Sequence, residues 1–394
     1  RSEEEQMRQY KKECLKFKTS QALFSSQDID VGTKHLLNTL TDEKYNNYKK
    51  VLDLGSGCGP IGIALKSAHP SSEVHMVDKD ALAVEYSRQN AKINNISDIC
   101  VYGSLGYDDV PDKDFDLIVS NIPAKVGNEV LTHMLKDARY HLMPGGKVAV
   151  VVIDAIGDYV SKELSDSEIK IVFYKRWPGH LVFHYEFLPS SSNKQENSFA
   201  SGIYDRGEKQ ISLGASQALL KTTYNLPEFD TLSFETELLL NSLKILNNKQ
   251  LETVLVFNPG QGYVPVALSE LAKRNRIYLI DRDLQSLRIF QKNLVANGYS
   301  QDNITTFFQV GIILPEHIQP DYIVGILNDK DSPDVNAMIV RQAAMQLKKE
   351  GRIIIATSST AITRIESLVK KENILGVVAR QRLKGRSSIT LRHI

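Results

Sequence analysis

The stretch VLDLGSGCGPIGIAL (residues 51–65) returns 203 positions later as VLVFNPGQGYVPVAL (254–268), and the fold follows from that pairing. The same offset of 203 carries MVDKDALAVEYSRQNAKINN (76–95) onto LIDRDLQSLRIFQKNLVANG (279–298), and VGTKHLLNTL (31–40) onto FETELLLNSL (234–243). At an offset of 205, FDLIVSNIP (115–123) lies over PDYIVGILN (320–328), and LMPGGKVAVVV (142–152) over LKKEGRIIIAT (347–357). Matched blocks at a nearly constant spacing read as two copies of one module. Between them PSSSNKQENSFASG (189–202) is polar and Ser/Asn-rich, the composition of a linker. The expected division is a first module over residues 1–188, a linker over 189–202 and a second module over 203–394.

Each copy alternates short apolar runs with helical stretches. KVLDLG, EVHMVD, DLIVS and KVAVVVI are too continuously apolar for a one-sided sheet and predict buried, mostly parallel strands. DALAVEYSRQNAKIN (80–94) has helical spacing, with Ala83, Tyr86 and Ala91 near one face. IKIVFYKRWPGHLVFHYEFL (169–188) predicts two strands turning at Pro178-Gly179. The fold class expected is α/β: two tandem doubly wound Rossmann-like modules, each closed by an antiparallel hairpin, with ligands at the carboxyl ends of the strands.

Composition narrows the function classes. At 42% hydrophobic and 24% charged, the 394 residues are those of an ordinary globular chain of two or three domains. There is no run of about 18 apolar residues, and the charged start RSEEEQMRQYKKECLKFK argues against a secretion signal, so neither membrane nor export is expected. The chain opens on Arg1 rather than a methionine, so further residues are expected upstream. Cys14, Cys58 and Cys100 have no disulfide or metal spacing, and the nine histidines show no HxH pair; a reducing cytoplasm and no metal are expected. Lys11, Lys12, Lys16 and Lys18 read as a solvated helix face. Net charge is divided unevenly: residues 1–198 hold 24 Lys+Arg against 28 Asp+Glu (24 − 28 = −4), and 199–394 hold 24 against 19 (24 − 19 = +5). A mildly basic second half suits an anionic partner.

DLGSGCGPIG follows a strand and opens a helix. Gly55, Gly57 and Gly59 allow a sharp turn and close approach of a ligand to the backbone, with Asp53 and Ser56 alongside. Gly57, Gly59 and Gly62 also satisfy GxGxxG, so a nicotinamide cofactor remains open at this point. Asp78 closes the second strand, where a carboxylate can hold ribose hydroxyls; Lys79 and Asp80 follow it, Asp80 equally suited to a helix cap. Asn121-Ile122-Pro123 at the end of the next central strand is more particular. The Asn121 side-chain oxygen and the Ile122 carbonyl are two acceptors that can grip both N–H groups of a planar amine, and Pro123 stiffens the corner. A hydride-transfer enzyme has no use for this device; a methyl transfer to nitrogen does. Ser104 and Leu105 (by position, on the adenine side), Asp30, Gly32 and Thr33 (toward the methionine end, Asp30 equally suited to a helix cap) and Lys125 complete the candidates.

VLDLGSGCG, VDKD, FDLIVSNIP and LMPGGKVAVVV, in this order, resemble the class I S-adenosylmethionine-dependent methyltransferases. More narrowly, ALFSSQDIDVGTKHLLNTL (22–40) resembles the segment before the fold in ribosomal RNA guanine-N2 methyltransferases of the small-domain group, which are built from tandem modules. The resemblance implies S-adenosyl-L-methionine as cofactor, an RNA substrate, ribosomal RNA first, and methylation of guanine N2; adenine N6, a protein glutamine, or a non-catalytic RNA-binding role are the alternatives. The family's N-P-P is followed by Phe or Tyr, whose ring stacks on the target base. Here the fourth position is Ala124, and Tyr107 and Phe24 are the substitutes to consider. The family's active copy is the second; here Asp53, Gly55 and Asn121 give way to Val256, Asn258 and Ile326, so the second module, although it keeps Asp281, is expected to be the degenerate one, docking RNA through its basic charge.

Overall fold

KVLDL, EVHMVD, FDLIVSN and the end of LMPGGKVAVVVI lack a polar face, and in the computed structural model they become the parallel centre of a sheet covered on both sides. The structure describes residues 4–10, 13–19, 23, 29–40, 47–189, 197–213, 216–226, 228, 231–245, 253–258, 261–271, 276–329 and 331–394. The chain divides into two units, Arg1–Tyr204 and Asp205–Ile394.

The first unit begins with the antiparallel pair β1 (Glu4–Tyr10) and β2 (Glu13–Thr19), followed by α1 (Val31–Thr39). Then come β3 (Lys50–Leu54), α2 (Pro60–Ala68), β4 (Glu73–Asp78), α3 (Ala81–Ile93), β5 (Cys100–Gly103), β6 (Phe115–Asn121), α4 (Asn128–Lys136), β7 (Leu142–Ile153), α5 (Asp154–Leu164), β8 (Ile169–Trp177) and β9 (His180–Phe187). The seven-stranded sheet has the order β5-β4-β3-β6-β7-β9-β8, parallel except for β9, which runs against both neighbours. Strand order reverses between β3 and β6, so the carboxyl ends of these two strands open the crevice in which doubly wound sheets bind ligands. Alternate residues of the central strands (Val51, Leu117, Val119, Ala149, Val151) join Leu36, Leu37, Ile61, Ala64 and Phe17 in one core. The single turn α6 (Ser198–Ser201) is held on this unit by Asp108, whose carboxylate accepts from Ser198 N and Phe199 N.

The second unit repeats the plan: β10 (Asp205–Leu213), β11 (Ser216–Thr223), α7 (Phe234–Ile245), β12 (Thr253–Phe257), α8 (Tyr263–Leu271), β13 (Arg276–Asp281), α9 (Leu284–Ala296), β14 (Ile304–Phe308), β15 (Tyr322–Ile326), α10 (Pro333–Gln346), β16 (Arg352–Ser358), α11 (Ser359–Glu372), β17 (Leu375–Leu383) and β18 (Arg386–His393). Its sheet order, β14-β13-β12-β15-β16-β18-β17, is the same.

The repeat reaches further than the sequence blocks. Residues 13–19, read as part of a helical face, are a strand, so Lys16 and Lys18 lie on β2; Lys11 and Lys12 lie outside the described residues. The strand forms because helix α3 offers it an edge. Asn90 Oδ1 accepts from Lys18 N (2.7 Å), and its Nδ2 donates to Lys18 O (3.0 Å) and Cys58 O (2.8 Å); Asn94, one turn on, clasps Lys16 N and O at 2.8 and 2.7 Å. In the second unit Asn293 makes the same three bonds to Lys221 N, Lys221 O and Gln261 O, and Asn297 clasps Leu219. Two amides thus stand in for a missing strand while Leu15 and Phe17 bury against the core. Asn90→Ala strands a buried backbone donor and two acceptors, and is expected to lower unfolding stability by about 2–4 kcal/mol in urea titration, with Asn293→Ala alike.

Candidate active site

The loop after β3 contains two kinds of glycine. All of Gly55, Gly57 and Gly59 have positive φ (74°, 57° and 89°), which favours glycine. A Cβ on Gly59 would press on Ile63, Ser87 and Met76 at 3.1–3.2 Å, and one on Gly62 would meet Met76 at 2.5 Å; these two glycines serve packing. Around Gly55 and Gly57 no protein atom lies within 4 Å of the Cβ position, so their faces open on space where a ligand can lie. The loop is tied to the end of β4: Gly55 N and Ser56 N donate to Val77 O (2.9 Å each), and Gly57 N donates to Asp78 Oδ2 (2.9 Å), while Asp78 Oδ1 accepts from Asp80 N (2.9 Å). Asp80 is the cap of α3, accepting from Leu82 N. Lys79 stands between these two carboxylates in the same turn.

Asp53, expected alongside the glycine loop, lies fully buried beneath it. Its Oδ2 accepts from Gly62 N (2.8 Å), fixing the start of α2, and its Oδ1 has no partner. Burial pushes the carboxyl up to about 7, against the pull of the Gly62 N–H and helped by the Asp78 charge. A carboxyl whose pKa is raised on folding contributes stability that is complete below its ordinary value and lost as pH rises through the folded value, here about 7. Asp53→Asn keeps an acceptor for Gly62 and never ionises. Its melting temperature is expected to exceed wild type near pH 8 (roughly one unit above that folded value), with the gap closing toward about pH 5; parallel pH profiles would show that Asp53 ionises without cost. Cys58, in the same loop, is also buried, which pushes its thiol up to about 11 and rules it out as a thiolate at neutral pH.

Asn121 ends β6 beside this loop. Its Nδ2 donates to Asp30 Oδ2 (2.8 Å) and Thr33 Oγ1 (3.1 Å), both at the start of α1. An ionised carboxylate only accepts, so Asp30 fixes which end of the amide is NH2 and leaves Asn121 Oδ1 as the outward acceptor. Asp30 is itself fixed as the cap of α1, accepting from Thr33 N (3.3 Å), and the far end of α1 is pinned by Thr39 Oγ1 at 2.8 Å from His184 Nε2. Burial lowers His184 to about 4, so that ring stays neutral. Ile122 buries its side chain and donates its N–H to Val151 O (3.0 Å); among the described residues neither its carbonyl nor Asn121 Oδ1 receives a hydrogen bond. Pro123 follows, exposed and in a trans linkage. The corner therefore presents two acceptors next to an open glycine cradle.

The sequence profile described as "Methyltransferase small domain" matches residues 14–167 and again 228–373, more than half of the chain. The chain belongs to the methyltransferase small-domain family. It is 37% identical over 133 residues to ribosomal RNA small subunit methyltransferase C of Haemophilus influenzae, 33% of this chain and 39% of that protein, and 29% identical over 137 residues to the uncharacterized protein YbxB of Bacillus subtilis (34% and 67%). The chain thus spans about two-fifths of the length of the first of these. In fold it is similar to the Thermus thermophilus 16S rRNA guanine-N2 methyltransferase RsmC in complex with AdoMet and guanosine, at 15% identity, TM-score 0.67, covering 99% of this chain and 98% of that one.

Against the family pattern several residues take other places. Asp30 takes the cap role that its position also offered, and with Thr33 it holds Asn121; nothing in local spacing signals a contact across 91 positions. Gly32 lets α1 approach closely, since a Cβ there would stand 2.8 Å from His180 Cδ2. Ser104 and Leu105 are buried: Ser104 Oγ donates to Gly106 O (2.6 Å) and Leu105 N to Asp109 Oδ2 (2.9 Å), so both shape their own turn. Tyr107 cannot replace the missing ring at Ala124. It is 2% exposed, donates to Met134 O and stacks on His141. Phe24 lies outside the described residues. Among the described residues one trio, Glu73, His75 and Asp112, brings metal-ligand atoms within 4.8 Å of one another, at the opposite end of β4; Lys50 Nζ already neutralises it, 3.5 Å from Glu73 and 3.4 Å from Asp112. No helix among the described residues is long and apolar enough to cross a membrane.

In the second copy a side chain spans the corresponding strand ends. Asn258 takes the place of Gly55, keeps the positive φ (49°), and repeats the bond to β13 through its N–H to Ile280 O. Its Nδ2 then reaches across to Ile326 O (3.0 Å), bridging the two strand ends between which a ligand would sit. The Asp53–Gly62 pair is lost as a pair: the acceptor becomes Val256 and the donor Pro265, which has no N–H. Asp281 survives as a turn residue, accepting from Asp283 N (2.8 Å).

Proposed function

We propose that the first unit is the catalytic module and transfers the methyl group of S-adenosyl-L-methionine to an exocyclic amine of RNA, guanine N2 of ribosomal RNA being the first candidate. The observation that carries this reading is Asn121, whose Nδ2 is tethered to Asp30 and Thr33 so that Oδ1 faces outward as an acceptor. The open faces of Gly55 and Gly57 and the orphaned Asp53 Oδ1, which a cationic ligand group would satisfy, fit such a cofactor. Family membership and the names of the relatives support the same chemistry.

The cofactor supplies an electrophilic methyl group on a sulfonium. Gly55, Ser56, Gly57 and Gly59, set by Asp53, would hold its methionine end; Asp78, a carboxylate able to accept at about four positions, would take ribose hydroxyls beside its backbone bonds. Lys79 flanks the nucleoside, and Ser104 and Leu105 set the turn on the adenine side. Asn121 Oδ1 and the Ile122 carbonyl accept the two N–H groups of the substrate amine and aim its lone pair, and Pro123 holds the corner rigid. The released proton passes to water. Such positioning contributes roughly 7–11 kcal/mol when two reactants are well aligned. The second unit, carrying the excess of positive charge, is assigned to docking RNA, and a cytoplasmic location goes with the substrate.

Tritium transfer from labelled S-adenosylmethionine to unmodified ribosomal RNA, followed by nucleoside analysis, tests the reading. N2-methylguanosine is expected. Label in protein, or in no macromolecule at all, would overturn the RNA assignment.

A further inference from the structure

With Ala124 small and Tyr107 in the core, neither of these residues gives the acceptor corner a ring on the β6 side. A different set of rings stands on the same sheet edge. Asn121 pairs with Val151 of β7, and Val151 with Val182 of β9; two residues on, Ile153 pairs with His180, and His180 with Trp177 of β8. At about 4.8 Å between strands, the His180 position lies about 10–12 Å from that of Asn121. Gly32 lets the two come together: a Cβ there would stand 2.8 Å from His180 Cδ2 and 2.9 Å from Asp30 Oδ2, the oxygen that tethers Asn121.

His35 of α1 stacks on Trp177 with ring centroids 4.5 Å apart and planes at 17°, and its ring lies 5.8 Å from that of His180. Burial, with His180 and Lys175 beside it and Asp30 opposing, lowers the His35 imidazole and favours its neutral form. Lys175 Nζ lies 4.6 Å from the Trp177 centroid. The tip is held in place: Gly179 N donates to Asp154 Oδ2, Asp154 N donates to Gly179 O, and Arg176 pairs with Asp154 at 3.2 Å. Stacked rings with a lysine at their rim, on a fixed hairpin along the same sheet edge as the two acceptors, match the chemistry of a planar base with an anionic backbone.

We propose that the His35–Trp177–His180 cluster is the base-stacking platform of this site, receiving a base of single-stranded RNA while Lys175 faces its phosphate. This rests on the reading of the first unit as an RNA methyltransferase.

Trp177 is the only tryptophan of the chain, so its emission reports the site directly. The full chain is titrated with an in vitro transcript of small-subunit ribosomal RNA, and separately with S-adenosylmethionine. Quenching by RNA and not by the cofactor is expected. Trp177→Ala and His180→Ala are expected to raise KM for the RNA about 5- to 100-fold, with cofactor affinity unmoved, and Trp177→Phe, which keeps a ring, to restore most of it. Trp177 also packs against the core, so its alanine variant is checked by thermal melting; if it does not fold, His180→Ala and Trp177→Phe carry the test. RNA that is methylated normally with emission and KM unchanged in the variants overturns the platform alone. RNA that the wild type does not methylate overturns the enzymatic reading, and the platform with it.

Discussion

Asn121→Ala is expected to cut methyl transfer by about a thousandfold or more while leaving S-adenosylmethionine affinity within a few-fold of wild type. The substitution removes one of two oxygens that fix the amine's nitrogen, and it touches neither the glycine loop nor Asp78. A loss concentrated in the rate at saturating RNA, with cofactor binding by calorimetry unchanged, marks an interaction made at the reacting atom. Asn121→Asp sharpens the comparison. It keeps an acceptor but sets a second carboxylate where Nδ2 donates to Asp30 Oδ2, so the side chain loses its tether and gains a repulsion. It is expected to be as inactive as the alanine variant. Wild-type turnover by either would remove Asn121 from the chemistry.

Gly57→Leu is expected to abolish cofactor binding in a protein that still folds. The position has φ +57° and nothing within 4 Å of the added Cβ, so the folded chain bears only the roughly 1–2 kcal/mol of a left-handed L-residue. The side chain then occupies the space proposed for the ligand. Binding is expected to fall by more than about a hundredfold (2.7 kcal/mol at 1.36 per tenfold), read by calorimetry, with the melting transition of the unliganded protein shifted by only a few degrees. Gly59→Leu is the contrast: its Cβ would press on Ile63, Ser87 and Met76, so it is expected to lose the fold itself. Normal binding by Gly57→Leu would place the cofactor elsewhere.

The architecture was readable because it was written twice: runs that are apolar throughout, a helix period between them and a constant offset leave few alternatives. The hairpins β1–β2 and β10–β11 were not, and Lys16 and Lys18 were misread, because what makes those residues extended is a pair of asparagines more than 70 positions away on a helix face. The place of Asn121, at a strand end followed by a proline, was legible. Its tether was not, since Asp30 and Thr33 are a helix start like many others until tertiary packing brings them to the amide. Asp53 was legible as a partner of the glycine loop, but its full burial and its bond to the Gly62 N–H follow only from packing at the start of α2. Tyr107 illustrates the same limit: sequence gives ring and neighbourhood, but only packing shows that the ring faces His141 and the core.

The amide of Asn258 has a consequence for how the two halves respond to the cell. Anything that binds only the native form raises its resistance to unfolding in proportion to the logarithm of its concentration. On the proposed function the donor binds the first half alone, so the half whose gap Asn258 spans is expected to melt at a temperature that the methyl donor does not move. The open half should melt later as donor accumulates, making one part of the polypeptide a gauge of metabolic supply and the other a constant.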